Sequence, residues 1–205
     1  MKNVWQMLES EGFILVGGLS SRMGSDKALL DLGGKLFIER IGATLSEVCR
    51  SVRLVGAGDA NDLKLWQHVP DVYPRWGALG GLHAALHACR TEWAIVVACD
   101  LPFVTGELFV RLASLSEDFE AVIPVQPDGR QQPLCALYRR EPCAKVSQAL
   151  IESGERRPRA LLQKVKTRRV AAHELSDLQG SAHFFMNINT PEDYSQARKT
   201  VISDE

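Results

Sequence analysis

The sequence predicts an α/β protein, a mostly parallel sheet with helices on both faces and one antiparallel element. Short apolar runs alternate with stretches of helical periodicity. Several of those runs are too continuously apolar to leave one face in water. A glycine-rich loop follows the first run, where doubly wound sheets gather their ligands. Strand, helix, strand in repetition gives the three-layer, Rossmann-like arrangement.

The elements follow in order. "MKNVWQMLESEG" is an N-terminal extension (1–11) in which Glu9 and Glu11 interrupt the apolar residues, so it is no secretory leader. Phe13 to Val16, Val52 to Val55, Ala94 to Ala98, Ala121 to Val125 and Leu134 to Tyr138 are predicted strands. Phe37, Ile41, Leu45 and Val48 share one helical face, as do Leu79, Leu82, Leu86 and Cys89, and then Leu108, Leu112 and Leu115. Asp128 and Gly129 form a turn signal between two strands, which predicts a hairpin and the antiparallel element. In "NINTPEDY", Thr190 is the N-cap of a last helix, Pro191 its first residue, and Glu192 and Asp193 its acidic first turn. The 205 residues suit a single domain, with no linker or repeat to divide them.

Composition excludes some classes of function. With 24 Lys and Arg against 25 Asp and Glu, bulk electrostatics do not suit a protein that coats nucleic acid or an acidic membrane. The longest apolar run, Ala94 to Cys99, is far below the ~20 residues that span a bilayer. The five cysteines form no C-x-x-C pair and read as buried thiols in a reducing compartment, so the expected location is the cytoplasm.

The loop from Gly17 to Lys27 has the makings of a polyphosphate site. Gly17 and Gly18 let backbone N–H groups approach an anion, Ser20 and Ser21 add hydroxyls, and Arg22 and Lys27 add charge. It is neither a Walker A loop nor a G-x-G-x-x-G turn. "AIVVACDLPF" ends a buried strand in Asp100 and stops it at Pro102, which sets a carboxylate at the same edge. Such an aspartate either caps the next helix or, beside a phosphate loop, holds Mg²⁺. Asp71 ends another short apolar stretch, and Gly77, Gly80 and Gly81 open a helix, for anion binding or for tight packing. Asn187 and Asn189 precede the last helix as ligands or as turn residues.

Together these stretches resemble the nucleotidyltransferase family that includes molybdenum cofactor guanylyltransferase. Leu15, Val16, Gly17, Gly18, Leu19, Ser20, Ser21, Arg22, Met23, Gly24, Ser25, Asp26 and Lys27 stand in the places of its opening motif L-A-G-G-x-S-x-R-M-G-x-D-K, with Val16 for alanine. Gly77 to Gly81 match its G-P-L-G/A-G segment with Ala78 for proline, Cys99 to Pro102 its aspartate-bearing strand end, and Asn187 to Glu192 its N-x-N-T-P-E tail. "QQPLCALYRR" and "SGERRPRALL" are similar to further family segments.

The resemblance implies a nucleotidyltransferase fold and the Mg²⁺-dependent transfer of GMP from GTP to molybdopterin, with release of pyrophosphate. It implies that residues 13–100 are mainly the nucleotide-binding half and 101–205 mainly the acceptor-binding half. Carried over by position, Asp100, Lys27 and Arg22 are catalytic and Asp100 is the metal ligand. Leu15, Val16, Gly17, Gly18, Lys27, Asp71 and Asp100 bind the nucleotide, and Gly77, Gly81, Asn187 and Asn189 face the acceptor. Glycine stands where the family has a base-proximal asparagine after the second strand. A CTP-dependent enzyme, a transferase for another small phosphorylated acceptor, and an inactive nucleotide-binding homologue are the alternatives. His83 and His87 are spaced i, i+4 without a third ligand and read as surface or packing residues. The basic run from Arg156 to Arg169 reads as a solvated helix face, or in part as a guide for the pterin phosphate or a dock for a molybdoenzyme or cofactor-delivery partner.

Overall fold

The computed structural model describes residues 9–16, 27–56 and 64–203. The chain runs β1 (Ser10–Leu15), α1 (Phe37–Val48), β2 (Val52–Val55), β3 (Gln67–Val69), α2 (Gly77–Ala88), β4 (Trp93–Ala98) and α3 (Gly106–Ser114). It continues through β5 (Ala121–Val125), β6 (Cys135–Arg139), α4 (Arg140–Glu152), α5 (Pro158–Leu161), β7 (Thr167–Ala171) and α6 (Pro191–Ser203). The sheet has seven strands in the order β3-β2-β1-β4-β6-β5-β7. Only β6 is reversed, antiparallel to both β4 and β5; the other pairs are parallel.

Two apolar layers sandwich the sheet. On one face Ile38, Ile41, Leu45 and Val48 of α1 and Leu108, Phe109 and Leu112 of α3 pack on Ile14, Leu54, Ile95 and Val97. On the other, Leu79, Leu82 and Leu86 of α2 and Cys143 and Ile151 of α4 pack on Phe13, Val96 and Ala136. A smaller cluster of Leu32, Phe37, Ile188 and Ala197 fastens α6 beside the start of α1. All five cysteines are buried and free, and burial pushes the Cys49 and Cys143 thiols up to about 12. No helix among the described residues is long and apolar enough to cross a membrane.

The expected strands all form, β2 and β5 with the expected ends and β1, β4 and β6 with shifted ones. β1 starts at Ser10, ahead of the apolar run, because Glu11 is buried against Arg53 of β2 with 2.5 Å between Oε2 and the guanidinium. The Arg90 N–H donates to the same carboxylate, and the guanidinium lies over the Phe13 ring. The expected hairpin is present: Gly129 takes φ +81° and the Asp128 carboxylate accepts from the Arg130 N–H. Four elements, β3, α4, α5 and β7, lie outside the sequence reading. β3 is too short and polar to be seen, and Ser147 on the buried face of α4 breaks its apolar pattern. The basic run is not one helix face: Pro158 opens the single turn of α5, and Arg168 and Arg169 lie on β7.

Candidate active site

The carboxyl ends of β1, β2, β3 and β4 deliver their loops to one edge of the sheet. The Val16 N–H donates to the Val55 carbonyl at 2.9 Å and the Cys99 N–H to the Leu15 carbonyl at 3.1 Å, so the end of β1 is held from both sides. The Val16 side chain is 4% exposed and packs in the α1 layer, with its methyls in the core. Leu15 packs in the opposite layer, where a Cβ added to Gly81 of α2 would meet it in ordinary contact. Gly56, at φ +105°, approaches Val16 so closely that a Cβ there would stand 2.2 Å from the Val16 carbonyl oxygen. Only glycine fits at that crossing.

The other end of the glycine loop returns at Lys27, whose Nζ donates to Asn189 Oδ1 at 2.6 Å. Asn189 is held in turn, because the Asn189 and Thr190 N–H groups both donate to Asp193 Oδ2 at 2.9 Å. The Asp193 N–H donates back to the Thr190 hydroxyl, so Thr190 is the expected N-cap of α6 and Asp193 completes a capping box. The Ile188 N–H donates to the Asp100 carbonyl, tying this segment to the end of β4. The Asn187 side chain stands close enough to the Asp100 carboxylate to favour its charged form, and Lys27 adds positive potential to it. Lys27, Asp100, Asn187 and Asn189, from three distant stretches of chain, therefore form one cluster.

Burial nonetheless raises the Asp100 carboxyl above the ordinary aspartate range, outweighing Asn187 and Lys27. Its Oδ1 is buried with no hydrogen-bond partner. An orphaned, buried carboxylate oxygen is a hard donor of the kind that suits a small divalent cation. Among the described residues no group of three or more His, Cys, Asp and Glu side chains gathers as a metal site. The metal would have to complete its shell from substrate phosphates and water, as Mg²⁺ does.

Asp71 follows β3 at the same edge; burial raises its carboxyl, and His68 partly offsets this. His68 Nε2 donates to the Gly56 carbonyl at 2.5 Å, which joins the ends of β2 and β3. Gly77 is exposed at φ +69° in open space at the start of α2, whereas Gly80 packs against Trp76. Gly17, Gly18, Ser20, Ser21 and Arg22 lie outside the described residues. His83 is a packing residue, buried and bonded to Ser147 Oγ at 2.9 Å.

Sequence reasoning missed how the basic run is divided. Arg157 forks onto Glu155 and, with the backbone N–H groups beside it, holds that carboxyl down to about 2. The Arg156 guanidinium lies 4.6 Å above the Trp76 ring, and Trp76 Nε1 donates to the Glu155 carbonyl at 2.8 Å. The loop ahead of α5 is thereby docked on the start of α2. A separate cleft of about 860 Å³ opens between α1, α3 and residues 179–183, lined by Arg40, Phe103 and His183 among others. Neither Lys27 nor Asp100 lines it.

A family model described as the MobA-like NTP transferase domain matches residues 12–196, from β1 into α6 and across every residue of the cluster. This chain belongs to the MobA-like NTP transferase family. It is a nucleotidyltransferase of that family, and the resemblance read from its motifs holds over the whole sheet. Among MobA-like relatives, it is 34% identical over 193 residues to a probable molybdenum cofactor guanylyltransferase of Pelotomaculum thermopropionicum, covering 94% of this chain and 93% of that one. It is 31% identical to a protein of the same description from Bacillus cereus, covering 94% of this chain and 98% of the relative. The crystal structure of molybdopterin-guanine dinucleotide biosynthesis protein A from Archaeoglobus fulgidus superimposes with a TM-score of 0.80 at 27% identity, covering 95% of this chain and all of that one.

Proposed function

We propose that this chain is a molybdenum cofactor guanylyltransferase, which transfers GMP from GTP to the terminal phosphate of molybdopterin, giving the guanine dinucleotide form and pyrophosphate. Relatives named for that activity match along nearly the whole chain. The observation that carries the reading is the convergence of Lys27, Asn187 and Asn189 on a buried, half-partnered Asp100.

In this reading an oxygen of the pterin phosphate attacks the α-phosphorus of GTP. The new P–O bond forms as the bond from the α-phosphorus to the bridging oxygen breaks, and pyrophosphate leaves with that electron pair. Positioning and charge neutralisation supply the catalysis, with no covalent enzyme intermediate. Asp100 holds Mg²⁺, which when bound supplies positive charge to the nucleotide and acceptor phosphates. Lys27 offsets charge on the leaving pyrophosphate, and Arg22 acts beside it. Asn189 holds the Lys27 ammonium, while Asn187 orients the Asp100 carboxylate and faces the pterin phosphate.

The nucleotide half is β3-β2-β1 with its loops, where the ends of Leu15 and Val16 offer main-chain groups to the base and Asp71 stands near the nucleotide. The acceptor half lies beyond β4, with Gly77 and Gly81 at its border. Arg156, held on Trp76 beside Gly77, guides the anionic acceptor; Arg157 is already spent on Glu155. Delivery of the product to a molybdoenzyme follows as a transient contact.

The test is pyrophosphate release from GTP or CTP, with Mg²⁺ and molybdopterin. Turnover with GTP and not with CTP is expected, and Asp100→Ala is expected to fold normally and lose at least about 10²–10³-fold in rate. Turnover with CTP alone makes the chain a cytidylyltransferase, and nucleotide binding without turnover in either case refutes the proposal.

A further inference from the structure

Two glutamines stand where the reversed strand meets the reaction edge. The Ala98 N–H donates to the Leu134 carbonyl at 2.8 Å, which fixes the approach to β6 against the end of β4, just short of Asp100. Ahead of it the chain turns. The Cys135 N–H donates to the Gln132 carbonyl at 3.2 Å, and the Gln132 N–H donates to the Pro124 carbonyl of β5 at 3.0 Å. Gln126, immediately after β5, closes the Asp128–Gly129 turn, its N–H donating to Arg130 and its carbonyl accepting from Gly129, both at 2.9 Å. Both glutamines thus occupy the carboxyl edge on the side of Asp100 away from β1, β2 and β3.

Their side chains are unaccounted for by the fold. Gln132 is 7% exposed, and the Nε2 atoms of Gln132 and Gln126 are both buried with no hydrogen-bond partner. Buried amides are almost always bonded, because water lost on burial must be replaced. Two adjacent exceptions at a substrate edge are explained if substrate atoms supply the missing acceptors. The donors carry no charge, so they suit uncharged acceptors, a carbonyl oxygen or a ring nitrogen, better than a phosphate. Gln132 leads into the strand next to that of Asp100, one step away, and Gln126 follows the strand two steps away, at about 5 Å per step. That spread is the scale of a heterocycle attached to a phosphate held at Asp100.

We infer that Gln132, with Gln126 beside it, recognises the heterocycle of the acceptor, donating side-chain N–H groups to its carbonyl oxygen and ring nitrogens. The inference rests on the guanylyltransferase reading and assigns the acceptor's specificity to this pair.

Gln132→Met removes both polar atoms at nearly constant shape. The expected result is a rise of about 10–100-fold in KM for molybdopterin, with KM for GTP unchanged and the melting temperature of the free protein unchanged or higher. Gln132→Glu, which replaces the donor by an acceptor, loses more. Gln126→Met moves the same constant in the same direction by less, and carries the test if the position 132 variants do not fold. A lower melting temperature with an unchanged KM for molybdopterin makes the amides structural and overturns the inference alone. A wild-type protein that turns over no molybdopterin at all overturns this inference together with the reading beneath it.

Discussion

Lys27 and Asn189, separated by 162 residues, meet at 2.6 Å between Nζ and Oδ1. The contact joins the returning end of the glycine loop to the cap of α6. The long, flexible lysine stem is thereby held in place, which under the proposed role lowers the ordering cost of binding a phosphate.

Lys27→Met is expected to lower kcat/KM about 10²–10³-fold, the scale of losing one preorganised charge stabiliser. Asn189→Ala, which leaves the ammonium in place but unheld, should cost about 10–100-fold, as for groups that orient a ligand from behind. If Asn189 acts through Lys27, the double variant loses less than the product of the two. A fully multiplicative loss in steady-state pyrophosphate release shows that they act independently.

Asp100 links the site to stability. Its folded-state carboxyl lies above the ordinary range, so the native protein binds the proton more tightly than the unfolded chain does. Without metal, the ionised group opposes folding; the penalty is absent below the ordinary aspartate value of about 3.9 and complete above the raised one. Asp100→Asn should therefore be more stable than wild type in urea at pH 7.5 and equal to it at pH 3, both without metal. Added Mg²⁺ should stabilise wild type and not the variant. Equal midpoints at pH 7.5 contradict the assignment.

Gly56→Ala is expected to destabilise by about 1–3 kcal/mol, since alanine must hold a positive φ. The new methyl also meets the Val16 carbonyl oxygen at 2.2 Å. For a chain of this size that is about 2–4 °C of melting temperature per kcal/mol, read by calorimetry. A neutral result means that β2 shifts freely against β1.

The Glu11–Arg53 pair is almost wholly buried. Glu11→Leu alone should cost about 3–5 kcal/mol because it strands the guanidinium, whereas Glu11→Leu with Arg53→Met should cost only the about 1–3 kcal/mol of the Arg90 N–H that loses its acceptor. Urea unfolding of the two variants separates these outcomes. A single variant as stable as the double one shows that the arginine finds solvent.

The sheet was legible where strands are apolar and the helices where their stripes are clean, as in α1 and α3. The reversed strand was legible through Asp128 and Gly129 alone. β7 was hidden because it lies at the sheet's edge, where arginines are tolerated, so its residues read as surface charge. Lys27, Asp100, Asn187 and Asn189 could be named from their motifs, but not the bonds that join them, which depend on how α6 returns. Gln132 lies in a segment similar to the family's and Gln126 in none, but neither could be singled out, since an amide looks ordinary in sequence until its burial is known.

Val16 turns its methyls inward and shows the loop edge only its main chain. A residue-by-residue comparison scores position 16 as a departure, yet the departure is absorbed by the packing under α1. Whatever ligand lies along that edge meets peptide groups common to every sequence, so its selectivity has to be inherited as a chain path. Altering it calls for moving the neighbouring loops, because exchanging the side chain at position 16 edits the interior.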